Sequence, residues 1–152
     1  EGSEKINSIR VGIIKAVINR NSKKEELKMG LDRENENQGY LCGRMFAALE
    51  KIQQDASGGK LNRTIKDTYF AAASTRPAMT FPKLLRLAQN HLNKLSMPSR
   101  VYYNKLMGEI SDKLQGGYPE RLCLSDQGKY MVGYYQQVQS FYEKIKIERE
   151  EK

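Results

Sequence analysis

Apolar side chains recur every three or four residues along most of the chain, which is the spacing of an amphipathic α-helix. No stretch alternates apolar and polar residues over the length of a strand. We therefore expect an all-α fold, a single-domain bundle of five or six helices that comprises residues 1–152. The candidate helices span about 4–20, 39–56, 62–74, 80–95, 98–115 and 125–146.

Each candidate helix has one apolar face, which we expect to point into the core. Gly128 and Gly133 lie within the last helix, where glycine lowers helix propensity, so we expect both to allow close packing against another helix. The predicted inward positions include Leu41, Met45, Leu49, Ile52, Ile65, Tyr69, Ala72, Ala73, Phe81, Leu84, Ala88, Leu92, Tyr102, Leu106, Ile110, Met131, Tyr134, Val138 and Phe141.

Polar side chains and glycines predict the helix boundaries. Gly58 or Gly59 is expected to end the second helix in the left-handed conformation. Residues 21–38 are expected to form a long polar connection, "YPERLCL" a short extended bridge, and residues 143–152 a charged C-terminal end that frays. The predicted N-caps of the third, fourth and sixth helices are Asn62, Thr80 and Ser125, with Pro82 in the first turn of the fourth.

The chain contains no apolar run near the roughly 20 residues needed to cross a bilayer. No charged and apolar leader opens it, so the sequence does not predict secretion or a membrane partner. Because Glu1 stands where an initiator Met is usual, we expect a piece of a longer polypeptide. Cys42 and Cys123 lie in apolar settings and are expected to be buried reduced thiols of a cytosolic protein, with a disulfide as the open alternative.

The positive charge of the chain is concentrated in one segment. Between Lys60 and Lys105 nine Lys or Arg residues stand against a single acid, Asp67, and this segment carries the whole formal net charge of +8. Solubility needs no such segregation, whereas a polyanionic partner benefits from it.

The sequence contains no recognisable catalytic, cofactor or metal motif. The single histidine, His91, has no second histidine or cysteine nearby, so a zinc site is not expected and His91 is predicted at the surface or its boundary. Glu109 and Asp112 share a helix face with Lys105 and Lys113, a spacing that suits surface ion pairs rather than a two-metal centre. We therefore expect a protein that is not an enzyme and needs no cofactor.

Cationic and aromatic side chains alternate in the basic segment, a combination that can bind phosphates and stack on unpaired bases. The alternatives are that the rings of residues such as Phe70, Phe81 and Tyr103 belong to the core, and that the cations form an ordinary solvated face. The small run Ala71 to Ser74 allows close approach of a partner backbone or tight helix packing. The predicted nucleic-acid-binding residues are Arg63, Lys66, Arg76, Lys83, Arg86, Lys94, Arg100 and Lys105.

Four segments together resemble a known family. They are "GYLCGRMFAALEKIQQDA", "RTIKDTYFAAASTRPAMTFPKLLRLAQNHLNKL", "YYNKLMGEISDKLQGGYP" and "LSDQGKYMVGYYQQVQSF". In this order they resemble the C-terminal region of the large subunit of the type I-C CRISPR Cascade complex, which is similar to the separate small subunit of that complex. The first candidate helix, "SIRVGIIKAVINR", is similar to the start of the same region.

The resemblance implies a non-catalytic helical bundle in a cytoplasmic antiviral complex of a prokaryote. Its implied partners are DNA in the R-loop and the crRNA-guided Cascade subunits, namely the backbone protein, the large subunit and further small-subunit copies. Guide pairing reads the target sequence, so a phosphate-directed surface suits this role. A purely structural spacer with little DNA contact is the alternative, and a metal-dependent nuclease is a third hypothesis.

Overall fold

The computed structural model describes residues 30–152, and within them it contains five helices and no strand. This confirms the all-α bundle, while the helix predicted at 4–20 lies outside the described residues. Residues 30–37 have no regular secondary structure, as expected for the end of the polar connection. The helices are α1 (Gln38–Ser57), α2 (Ile65–Thr75), α3 (Pro77–Leu92), α4 (Met97–Lys113) and α5 (Leu124–Glu150).

Helix α1 is the centre of the bundle. It packs against each of the other four described helices, and its most extensive contact is with α5. The sequence pattern predicted one buried face, but every residue from Gly39 to Glu50 is buried. This difference arises because α1 is surrounded by neighbours, so that Arg44, only 2% exposed, is buried as well.

The backbones of α1 and α5 approach each other directly at glycines. A Cβ atom at Gly133 would overlap the backbone carbonyl oxygen of Tyr40, and one at Gly43 would overlap that of Tyr130. The close packing predicted for Gly133 is therefore confirmed. The prediction for Gly128 is wrong, because a Cβ there meets nothing within 4 Å.

Buried polar side chains connect α1 to α5 beside this contact. The Arg44 Nε donates to Gln137 Oε1 at 3.0 Å, and both residues are buried. The Tyr134 hydroxyl donates to the buried carboxylate of Glu50, which also accepts from Thr64 Oγ1 at 3.4 Å. Burial, followed by the hydrogen bond to Glu50, raises the pKa of Tyr134 above its ordinary value of 10.0.

The helix boundaries agree with the predictions at some ends and differ at others. Gly58, with φ of 64°, ends α1 as expected. Helix α2 starts after Thr64 rather than Asn62, and the Thr64 N–H donates to Asp67 Oδ2 at 2.7 Å. Helix α3 starts at Pro77, which fits the first helical position, so Thr80 is not its N-cap and Pro82 lies in the second turn.

The connection into α5 also differs from the sequence interpretation. The Leu122 N–H donates to the Thr75 carbonyl at 3.2 Å, which ties the predicted extended bridge to the end of α2 without forming a strand. The N-cap of α5 is Cys123 rather than Ser125, and the helix continues to Glu150 through most of the charged end.

The two cysteines differ in burial, and both thiols are free. Cys42 is buried as predicted, whereas the predicted burial of Cys123 is wrong because its side chain is exposed. Burial raises the pKa of the Cys42 thiol to about 12.

Most of the predicted core positions named above are buried, and five are not. Ala72 and Met131 are exposed, and Tyr69 and Val138 are half-buried. Tyr102 is half-buried as well, whereas its neighbour Tyr103 is buried. The Tyr103 hydroxyl donates to Asp55 of α1, and its ring packs edge-on against Phe141. These two contacts hold Tyr103 rather than Tyr102 in the core, whereas Leu106 and Ile110 of α4 are buried as predicted.

The two glycines of α5 provide a direct test of the helix contact. We expect Gly133→Ala to lower the free energy of unfolding by about 1–3 kcal/mol, because the added methyl group must separate α1 from α5. Gly128→Ala is the matched control and should raise stability by up to about 1 kcal/mol through helix propensity alone. Urea unfolding followed by circular dichroism measures both. Equal stabilisation by the two substitutions would contradict the contact.

Tyr134→Phe tests the buried hydrogen bond to Glu50. At pH 7 we expect the substitution to lower the free energy of unfolding by about 1–3 kcal/mol, because the Glu50 carboxylate loses a buried hydrogen-bond donor. Above about pH 10 the unfolded chain releases the Tyr134 proton first, so stability falls with rising pH, by about 1.4 kcal/mol per pH unit for each such tyrosine. The variant should show a shallower alkaline decline in urea unfolding. Tyr135→Phe, at the exposed neighbour, is the control and should change little at pH 7.

Candidate nucleic-acid interface

Four of the predicted cations accompany helix α3: Lys83 and Arg86 lie within it, Arg76 is its N-cap residue, and Lys94 follows its C-cap residue. Arg76, Lys83, Arg86 and Lys94 are all exposed, and we refer to them as the α3 ridge. Lys83 and Arg86 are three residues apart and therefore neighbours on the helix surface. The helix between Arg76 and Lys94 has 16 residues and is roughly 24 Å long at 1.5 Å per residue. Its opposite side is buried through Phe81, Leu84, Ala88 and Leu92, as predicted.

Helix α2 adds a fifth cation beside this ridge. The Lys83 Nζ lies 5.1 Å from the ring centroid of Tyr69, so the ridge meets α2 at a half-buried aromatic ring. The Lys66 Nζ lies 4.8 Å from the ring centroid of Tyr134 and 5.1 Å from that of Tyr135. Contacts of this kind attract the cation to the ring face and hold it in place.

The side chains on the outer side of α2 between these cations are small. Ala71 and Ala72 are exposed, whereas Ala73 and Ser74 are buried. Tight helix packing therefore accounts for Ala73 and Ser74, and the approach of a partner backbone at Ala71 and Ala72 stays a prediction.

The structure separates the remaining predicted residues. Arg63 is exposed in the segment just before α2. Arg100 and Lys105 lie on α4, which packs mainly against α1 rather than α2. Arg100 is half-buried, and its Nε is buried without a hydrogen-bond partner in the described part of the chain. The helix contacts thus bring α2 and α3 together while α4 packs on α1, and the binding of nucleic acid by these residues stays a prediction.

The positive charge of the interface is not cancelled by neighbouring carboxylates. None of the ion pairs found within residues 30–152 involves any of the eight predicted cations. The paired cations there are Lys51, Lys113, Lys129, Lys144 and Lys146. A polyanion can therefore contact the α3 ridge without displacing internal partners.

The aromatic residues of the basic segment divide between core and surface. Phe81 is fully buried and stacks on Tyr118, with ring centroids 4.5 Å apart. Phe70 packs edge-on against Phe46 of α1, and Tyr103 is buried. The core interpretation is thus correct for these three rings. Sequence reasoning did not assign Tyr135 to the site, because it lies 69 positions after Lys66 and no sequence spacing connects them.

The structure also shows the surroundings of His91 and Lys113, two residues considered from the sequence. His91 is half-buried, and its pKa is lowered by burial and by the positive charge of Lys94. Lys113 pairs with Glu34 at 3.5 Å rather than with the carboxylates of α4 predicted from its spacing.

Within residues 30–152 no group of three or more His, Cys, Asp or Glu side chains is placed to hold a metal ion. Among the same residues no helix has the length and hydropathy needed to span a membrane.

Comparison with known proteins identifies the family. No curated protein matches the chain. The family described as CRISPR-associated protein (Cas_Csd1) matches residues 1–142, which is most of the sequence. The chain therefore belongs to the CRISPR-associated protein (Cas_Csd1) family, and this membership implies a role in a multi-subunit CRISPR complex.

Proposed function

We propose that this chain acts as a non-catalytic small-subunit component of a type I-C Cascade interference complex. It binds the sugar-phosphate backbone of DNA non-specifically and stabilises the complex and its R-loop in the prokaryotic cytoplasm. The observation that carries this proposal is the α3 ridge, whose four cations are exposed and share no ion pair among the described residues.

The geometry of the ridge suits a strand rather than a compact ligand. Its cations lie within and at both ends of a helix roughly 24 Å long, so they can neutralise successive phosphates of one strand. Lysine and arginine contacts to phosphates carry no sequence information. A surface of this kind leaves the reading of sequence to guide pairing, as the role in an R-loop requires.

The partners of this proposal are a DNA strand of the R-loop and neighbouring Cascade subunits. The backbone protein, the large subunit and further small-subunit copies are the protein partners that we propose. The family match supports the complex as the setting, and the +8 charge supports the polyanion as a ligand.

A structural spacer is the second candidate function, and one observation favours it. Helix α5 exposes several large apolar side chains, among them Leu124 at 83% exposed, Met131 and Tyr142. Large exposed apolar patches are typical of protein–protein interaction sites. In this alternative the ridge binds acidic side chains of another subunit.

The two functions differ in their salt dependence. Lys66 and the four cations of the α3 ridge make five cations. If each of them contacts one phosphate of single-stranded DNA, log affinity should fall with log salt at a slope of about −3.5. Replacing Lys83, Arg86 and Lys94 by Glu leaves two of these cations, so we expect a slope of about −1.4 or shallower. Fluorescence anisotropy with a labelled oligonucleotide at four salt concentrations measures both slopes.

The control makes the same change of charge elsewhere. Lys129, Lys144 and Lys146 of α5 are replaced by Glu, and this variant should keep most of the affinity and slope of the unchanged protein. Circular dichroism establishes that both variants remain helical. If the assembled complex still forms R-loops with the ridge variant at the unchanged rate, the DNA-binding function is wrong and the spacer is correct.

A further inference from the structure

A cavity of about 250 Å³ lies between α1, α2 and α5. It is smaller than the roughly 300–1,000 Å³ of pockets that take drug-sized ligands, so its size suits a single planar ring system. The residues that the argument uses are Glu50 and Gln54 of α1, Lys66 of α2, and Tyr134, Tyr135 and Tyr142 of α5.

Aromatic rings form one side of this cavity. Tyr135 is 55% exposed and Tyr142 is 67% exposed, although large aromatic side chains are usually buried. They lie seven residues apart, on the same side of α5. Both rings line the cavity and are largely exposed, with Lys66 over the Tyr135 ring at 5.1 Å from its centroid. Every nucleobase can stack on an exposed aromatic ring regardless of its identity.

Polar groups lie on the α1 side of the cavity. The Gln54 Nε2 donates to Glu50 Oε1 at 3.4 Å, while Glu50 also accepts from Tyr134. The carboxylate of Glu50 is thus already engaged by the protein. A glutamine amide carries two donor hydrogens and an acceptor oxygen, so Gln54 can form hydrogen bonds with the edge of more than one kind of base.

Lys66 joins the cavity to the α3 ridge. Its ammonium group lies over the rings of Tyr134 and Tyr135, while Tyr69, one turn along α2, contacts Lys83 of the ridge. A strand whose phosphates contact Lys83 and Lys66 therefore passes the mouth of the cavity.

We infer that the cavity takes one unpaired base of a nucleic-acid strand whose phosphates lie on Lys66 and the α3 ridge. The inference rests on the proposed function, since the ridge must bind the strand before a base can enter. A base in a duplex must first be unpaired and unstacked, which costs free energy. The cavity therefore favours single-stranded over double-stranded nucleic acid.

Two other cavities of the described residues fit a base less well. The cavity of about 380 Å³ contains Tyr102, but Lys144 already covers that ring at 3.7 Å from its centroid, and Asp55 and Glu148 add negative charge. The cavity of about 660 Å³ beside Lys94 has no aromatic ring in its lining. Neither combines a ring open to solvent with a cation of the basic segment.

The test compares two labelled strands with equal numbers of phosphates, a 12-mer of deoxythymidine and an abasic 12-mer, in anisotropy titrations with the purified full chain. We expect the base-containing strand to bind about tenfold more tightly. Tyr135→Ala and Tyr142→Ala should each remove most of this difference while the abasic strand binds as before. Met131→Ala, an exposed position of α5 outside the cavity lining, is the matched control and should keep the tenfold difference.

Each outcome bears on a different claim. Equal affinity of the unchanged protein for both strands overturns the base cavity and leaves the proposed function in place. A tenfold difference that survives Tyr135→Ala and Tyr142→Ala also overturns it. Failure of both strands to bind overturns the inference together with the proposed function. A 12-mer of uridine, run in parallel, shows whether the strand that supplies the base is RNA or DNA.

Discussion

The direct contact between the backbones of α1 and α5 determines where the other elements of the described bundle can lie. At Gly39, Gly43 and Gly133 no side chain separates the two helices, and a Cβ atom at any of them would overlap a backbone carbonyl of the other helix. This contact fixes the register of α5 on α1. The hydrogen bonds from Arg44 to Gln137 and from Tyr134 to Glu50 depend on that register, because each joins one helix to the other.

The sequence was sufficient to predict the described helices and their order, because apolar periodicity is a local property. The sequence was less informative about α1. Apolar periodicity distinguishes a buried face from an exposed face, and α1 is buried on all sides over most of its length. The predicted start of α3 was wrong because proline favours the first helical position. Pro77 begins α3 three residues before the predicted N-cap at Thr80. The burial of Tyr103 rather than Tyr102 depends on its contacts with α1 and α5, which no local pattern contains.

The candidate site was predictable to the extent that its charge is local in sequence. The polar face of α3 appeared from periodicity alone, and Lys83, Arg86 and Lys94 are exposed as expected. Periodicity does not indicate how Arg100 and Lys105 of α4 stand relative to these residues, because the packing of α4 on α1 is a tertiary contact. The aromatic residues of the site come from α5, so only the tertiary contact with α2 brings Tyr135 to Lys66.

The arrangement of Lys66 explains how backbone binding and base stacking can act together. Its ammonium group lies over aromatic rings beside the cavity and forms no ion pair with a carboxylate of the described residues. Phosphate contacts along α3 do not depend on sequence, and stacking on an exposed tyrosine tolerates every base. In the function that we propose, a surface that combines the two would hold a strand because it is unpaired, not because of what it encodes. Selectivity for single strands would then rest on the position of one lysine between two helices.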